Sequence, residues 1–193
     1  MTPIDVAFTI FPVVTTDRLF LRQIQQTDAK DLFEIFCDAE TMKFNGHPQQ
    51  HSLDDTHEWI KEIQARYTRR ESIRWGVILR ETDKLIGTCS FHRFDSYFQR
   101  VELGYEMNRA YWGKGIMSEA VSALLRYGFN DLQLHRIEAV IDINNERSKA
   151  LLERLGFTYE GVLRQRYFTK DDTFADEYYF GLLKSEWDSG KQP

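Results

Sequence analysis

The stretch Asn108-Arg109-Ala110-Tyr111-Trp112-Gly113-Lys114-Gly115-Ile116-Met117-Ser118-Glu119-Ala120 decides how this chain is read. Residues 101–107 before it alternate in polarity as a strand does. Residues 116–129 after it carry Ile116, Ala120, Leu124 and Tyr127 at helical spacing. The stretch is therefore a loop that joins a strand to a helix. Glycine at 113 and at 115 lets the backbone come close to a ligand with no side chain in the way. The first turn of the helix offers unpaired N–H groups and a partial positive charge, which suits phosphate oxygens. Two familiar phosphate loops are excluded. Lys114 is followed by Gly115, so there is no Walker loop, and a dinucleotide fingerprint would need a third glycine. Taken alone, these glycines read better as a plain strand-to-helix turn, so the loop acquires meaning only beside a second motif.

Outward from the loop, strand-like and helix-like segments alternate. Residues 18–23, 75–79, 85–94, 101–107, 136–141, 157–162 and 177–183 read as strands. Thr27 and Asp28 open an amphipathic helix that runs to about Cys37, and Ser52 with Asp55 forms a capping signature before a helix with Trp59, Ile60 and Ile63. Residues 41–51 read as loop, residues 146–155 as a short helix stopped by Gly156, and the last ten residues as loose. The expected fold is one α/β (α+β) domain over residues 1–193, with an ordered core of about 16–184. Its sheet is mixed, mostly antiparallel and twisted, with about six to seven strands flanked by about four helices. A ligand site is expected at the carboxyl end of the strand that enters the loop.

Composition narrows the class. The 193 residues are 42% hydrophobic and 28% charged, as in an ordinary globular protein. With 25 Lys plus Arg against 30 Asp plus Glu, the net charge of −5 offers no general attraction to nucleic acid or anionic lipid. Cys37 and Cys89 are isolated, which gives neither a disulfide framework nor a cysteine metal site. His47, His51 and His57 near Asp54 and Asp55 read as surface polar residues, and no metal is expected. The N-terminus lacks the basic start of a signal peptide and no apolar run reaches membrane-spanning length, so a cytoplasmic location is expected.

The second motif is Asn145-Glu146-Arg147-Ser148, followed by Leu155-Gly156-Phe157. Asn145 suits a helix N-cap with Ser148 at the third helical position. With Thr16-Asp17-Arg18-Leu19-Phe20-Leu21-Arg22, Leu85-Ile86-Gly87, Val101-Glu102-Leu103-Gly104-Tyr105, Glu160-Gly161 and Arg164, the two motifs resemble the GNAT acetyltransferase superfamily, and within it the RimJ/RimL type that acts on ribosomal proteins. Ala110 and Arg109 depart from the residues usual in the loop of that family.

The resemblance implies acetyl transfer from acetyl-CoA to a primary amine by direct attack on the thioester. It assigns cofactor contacts to Tyr105, Met107, Trp112, Gly113, Lys114, Gly115, Ile116, Met117, Ser118, Asn145 and Ser148, with a backbone N–H near Met107 at the carbonyl oxygen. Candidate bases are Glu102, the first choice, and Glu106, which shares its strand face. Ser148 and then Tyr167 are candidate donors to the leaving thiolate. A carboxylate near its ordinary pKa is a weak base, which fits an α-amine of pKa about 7.7–8.0 better than a lysine of about 10.4. The expected acceptor is the N-terminal α-amine of a protein or peptide. Small-molecule amines (a polyamine, an antibiotic, an amino acid) or acyl-CoA binding without turnover are the alternatives. No direct contact with nucleic acid or membrane is expected, and a homodimer is left open.

Overall fold

Residue alternation builds the sheet. In strand β2 (Leu19–Gln23), Leu19 and Leu21 are buried while Phe20 and Arg22 on the other face are only partly covered. The computed structural model describes residues 2–169 and 173–190. Its strands are β1 (Val14–Thr15), β2, β3 (Ser72–Leu79), β4 (Lys84–Asp95), β5 (Arg100–Met107), β6 (Arg136–Asp142), β7 (Thr158–Phe168) and β8 (Phe174–Leu183). They form one sheet in the order β1-β2-β3-β4-β5-β6-β8-β7. Every neighbouring pair is antiparallel except β5 and β6, which are joined by a helical crossover.

Apolar side chains leave both faces of β3 and β4, so helices cover both. Ile78 and Leu85 pack under α2 (Ala29–Phe36) and α3 (Leu53–Thr68), with Leu32, Ile35, Phe36 and Ile60. Val77 and Ile86 belong to the larger opposite cluster, beneath α4 (Ile116–Arg126) and α5 (Glu146–Arg154), around Trp75, Phe91, Leu124 and Phe129. The Trp75 indole N–H donates to the Pro12 carbonyl at 2.7 Å, which ties the N-terminal segment to this core.

The feature that makes a site is a failure of pairing. β5 and β6 keep register for Arg100↔Arg136, Val101↔Ile137 and Glu102↔Glu138, and no further. Beyond that point β5 stays with β4 as far as Met107, and β6 stays with β8 as far as Asp142. The two parallel strands therefore part toward their carboxyl ends and open a wedge in the middle of the sheet.

Eight strands and six α-helices among the described residues exceed the six to seven and four expected. The additions are short and peripheral. β1 has two residues, and α1 (Pro3–Ala7) is a single turn capped by Thr2 and Asp5. The helix expected over 116–129 is α-helical to Arg126 and continues as a π-type turn, Tyr127–Asp131. Of the tail read as loose, Lys184–Asp188 forms α6, and residues 191–193 lie outside the described residues. Leu124, with no exposed surface, fixes α4 on the sheet. Its replacement by Ala is expected to cost about 2–5 kcal/mol through lost burial and a residual cavity, measured as a lower urea midpoint with an unchanged slope.

Candidate functional site

The loop between β5 and α4 is braced from several sides. The Asn108 side chain accepts from the Ala110 N–H at 3.0 Å, and the Trp112 indole donates to the Met107 carbonyl at 2.8 Å. Gly113 and Gly115 have φ of +74° and +71°, a left-handed backbone that costs an L-residue about 1–2 kcal/mol. Their need is conformational, because a Cβ at Gly113 would meet nothing within 4 Å. No side chain caps α4, so the first-turn amides of Ile116, Met117 and Ser118 are left for a ligand. Arg18 supports the loop from behind. It donates to the Lys114 carbonyl at 3.2 Å and pairs with Glu119 at 2.6 Å, while the Thr16 hydroxyl donates to the same carboxylate at 2.5 Å.

Two cations flank the loop. The Lys114 ammonium lies 5.3 Å from the Tyr111 ring centroid, and the Arg147 guanidinium lies 4.1 Å from that of Trp112. Neither makes an ion pair among the described residues, so both remain free to face anionic oxygens.

Asn145 caps α5 as its sequence suggests, accepting from the Ser148 N–H at 3.2 Å. That places Ser148, 7% exposed, with its hydroxyl 2.5 Å from the Tyr105 hydroxyl on β5. One side chain comes from each wall of the wedge, and the two hydroxyls bridge it.

Two cavities fill the wedge. The larger, about 850 Å³, runs from the glycine loop along α5, and the smaller, about 460 Å³, lies between β5, β6 and β7. They share Phe44, Asn45, Tyr105, Glu106, Asn145 and Ser148, so each opens onto the same junction. Of the residues expected at a cofactor, Tyr105, Met107, Trp112, Gly113, Gly115, Ile116, Met117, Ser118, Asn145 and Ser148 line the larger cavity, and Lys114 does not. Tyr167 lines the smaller one, donating from its hydroxyl to Asp142 at 2.5 Å. Burial, reinforced by Asp142, pushes the Tyr167 phenol above its ordinary value. The same burial raises Tyr105, which keeps both phenols protonated.

Glu102 lines neither cavity. It stands on the last rung that β5 shares with β6, before the wedge opens, and is held by His92 at 3.2 Å and Arg93 at 2.8 Å. Glu106, four residues further on the same face of the strand, lines both cavities. Its carboxylate pairs with Arg74 at 2.6 Å and accepts from Thr88 at 2.5 Å and Asn45 at 3.1 Å. Burial works to raise the pKa of both glutamates. For Glu106 it is outweighed by Arg74, Thr88 and Asn45, and for Glu102 by His92, Arg93 and Arg166, so both stay below the usual carboxylate range. Phe44 and Asn45 were not legible as site residues, because the loop 41–51 has no periodicity to read.

Among the described residues no group of three or more His, Cys, Asp or Glu could hold a metal, and no helix is long and apolar enough to cross a membrane. A sheet wedged open between two parallel strands, with an uncapped glycine-led helix at the mouth, makes a cleft for an extended ligand that carries phosphate. The model of the acetyltransferase (GNAT) domain matches residues 18–158, and the chain belongs to that family. It is 39% identical over 175 residues to an uncharacterised N-acetyltransferase, YoaA, of Bacillus subtilis (strain 168), covering 91% of this chain and 98% of that one. It is 30% identical over 186 residues to the [ribosomal protein uS5]-alanine N-acetyltransferase of Escherichia coli (strain K12), covering 92% and 94%. The crystal structure of a GNAT-family acetyltransferase from Bacillus anthracis superposes with a TM-score of 0.80 at 27% identity, over 90% of this chain and 99% of that chain. The activity is therefore acetyl-CoA-dependent N-acetyl transfer.

Two outcomes test this geometry. Gly115→Ala strains the helix start, and acetyl-CoA is expected to bind about tenfold more weakly, read by calorimetry. Glu106 is depressed below its ordinary 4.5, so its stabilisation is present above that pH and is lost as pH falls through the folded value. Glu106→Gln should thus destabilise by about 3 kcal/mol near neutral pH, with the gap to wild type closing in acid, measured by urea unfolding across pH.

Proposed function

We propose that the protein acetylates the N-terminal α-amine of a protein or peptide, a ribosomal protein being the favoured class. The observation that carries this reading is the junction of the two cavities at Tyr105, Glu106, Asn145 and Ser148. One cavity has the first-turn amides and the Arg147 guanidinium suited to a pyrophosphate, and the other is free for an acceptor entering from the opposite side.

Acetyl-CoA, when bound, supplies an acetyl group activated as a thioester. The uncapped amides of Ile116, Met117 and Ser118 would hold its phosphates, with Trp112 and Arg147 at the rim. Backbone groups of β5 past Glu102, which lack a β6 partner, can meet the pantetheine chain and the carbonyl oxygen near Met107. Ser148, hydrogen-bonded to Tyr105, stands at the junction as the proton donor to the departing sulfur, and Tyr105 can refill it. Tyr167 is less suited to donate, because its proton is held by Asp142.

The weakness of the bases supports the α-amine. Glu106 lies at the junction and Glu102 lies outside it, yet both are held as stable carboxylates. Neither is suited to stripping a lysine, whose neutral fraction near pH 7 is about one in a thousand or less, whereas an α-amine is neutral to roughly a tenth. We assign proton acceptance to Glu106, acting on the fraction that is easily deprotonated. The uS5-alanine relative supports a ribosomal acceptor as the first to try.

At about a hundred times its dissociation constant, acetyl-CoA should raise the melting temperature by about 5–10 °C, with ATP giving little. Peptides beginning with Ala or Ser should be acetylated, and N-blocked peptides with an internal Lys should not, as read by mass spectrometry. Spermidine turned over faster than every peptide would replace this reading with a small-molecule one. Ser148→Ala is expected to lower kcat about tenfold to a hundredfold with acetyl-CoA affinity little changed.

A further inference from the structure

The ionised side chains that line the smaller cavity are not equivalent. Glu106 is neutralised by Arg74 at 2.6 Å, and Glu177 by Arg166 at 2.8 Å. The cation Arg93 is in turn held by Glu102 at 2.8 Å. Asp142 stands apart, with no Lys, Arg or His partner among the described residues. It is 8% exposed, at the last position of β6, where that strand has already left β5.

All its bonds are to neutral donors. One carboxylate oxygen accepts from the Asn144 backbone at 2.7 Å and the Asn144 amide at 2.9 Å, and the other accepts from the Tyr167 hydroxyl at 2.5 Å. A carboxylate has about four acceptor sites, so room for one more donor remains on the Tyr167 side. A buried charge without a counter-ion is costly, and a cation entering the cavity would relieve that cost. In water near pH 7 an α-amine arrives mostly as its ammonium form.

We propose that Asp142, with the Tyr167 hydroxyl beside it, is the docking point for the ammonium group of the acceptor. The inference rests on the reading of the smaller cavity as the acceptor site, and it adds the substrate class: an acceptor that enters as a cation. Neutral amides and alcohols of the same shape are disfavoured because they leave Asp142 without a counter-charge. Asp142 acts by holding and orienting the amine, and the proton is lost elsewhere in the wedge.

The test uses binding, so that it stands apart from turnover. The full-length protein loaded with CoA is titrated, at slightly acidic pH, with L-alaninamide and with its neutral analogue N-acetyl-L-alaninamide. Wild type is expected to bind the amine at least about tenfold more tightly, a difference of roughly 1.4 kcal/mol. Asp142→Asn keeps an oxygen for the Asn144 N–H, removes the charge, and puts an amide NH2 where the Tyr167 hydroxyl donates, a bond that hydroxyl can keep by accepting instead. It should bring the preference below about threefold while acetyl-CoA affinity is retained. In wild type labelled with carbon-13, the Asp142 carboxyl resonance should move with alaninamide and stay still with the neutral analogue. Equal binding of both compounds by wild type, an unchanged preference in Asp142→Asn, or a stationary Asp142 resonance would overturn the proposal. Failure of the α-amine reading would look different: ammonium binding at Asp142 with no acetylated peptide formed.

Discussion

The rest of this structure depends on three rungs. β5 and β6 are hydrogen-bonded partners for Arg100 to Glu102 only, and then diverge, each staying with an antiparallel neighbour on its outer side. An unpaired backbone edge inside a protein must find partners, since buried peptide groups are costly to leave unsatisfied. The wedge thus creates both a space and a demand for hydrogen bonds, and a chain-like ligand with amide groups of its own meets both. The parting also separates two carboxylates of one strand face, leaving Glu102 in the closed part of the sheet and Glu106 in the open part.

Around that wedge the molecule divides its tasks by wall. The β5 wall carries Tyr105 and Glu106 and leads directly into the glycine loop, which Arg18 and Glu119 fix from outside. The β6 wall carries Asp142 and leads, through Asn144 and Asn145, into the helix that presents Ser148. The hydrogen bond between Tyr105 and Ser148 is where the walls touch at the junction of the two cavities.

What the sequence made legible was local. The Ser52–Asp55 cap, the Asn145–Ser148 cap, the helix-ending Gly156 and the alternation of β2 depend on neighbours a few residues apart, and each is where the spacing places it. The site was legible as motifs and not as pairs. Tyr105 meets Ser148 across 43 positions and Tyr167 meets Asp142 across 25, and such meetings are set by sheet register, which one sequence does not spell out. The choice between Glu102 and Glu106 turned on where pairing stops, a property of two strands together. The small N-terminal elements α1 and β1 were too short for any periodicity to appear.

The strand order has a consequence for how the molecule is made. From β1 to β6 the sheet follows the chain, so each strand can add to its predecessor as it is synthesised, at little cost in loop closure. β8 breaks the sequence: it is the last strand among the described residues, yet it sits between β6 and β7 and pairs with both. Until residues 174–183 have been made, β6 has no antiparallel neighbour on its outer side. The outer support of the β6 wall therefore comes from a later part of the chain than that of the β5 wall, whose neighbour β4 precedes it.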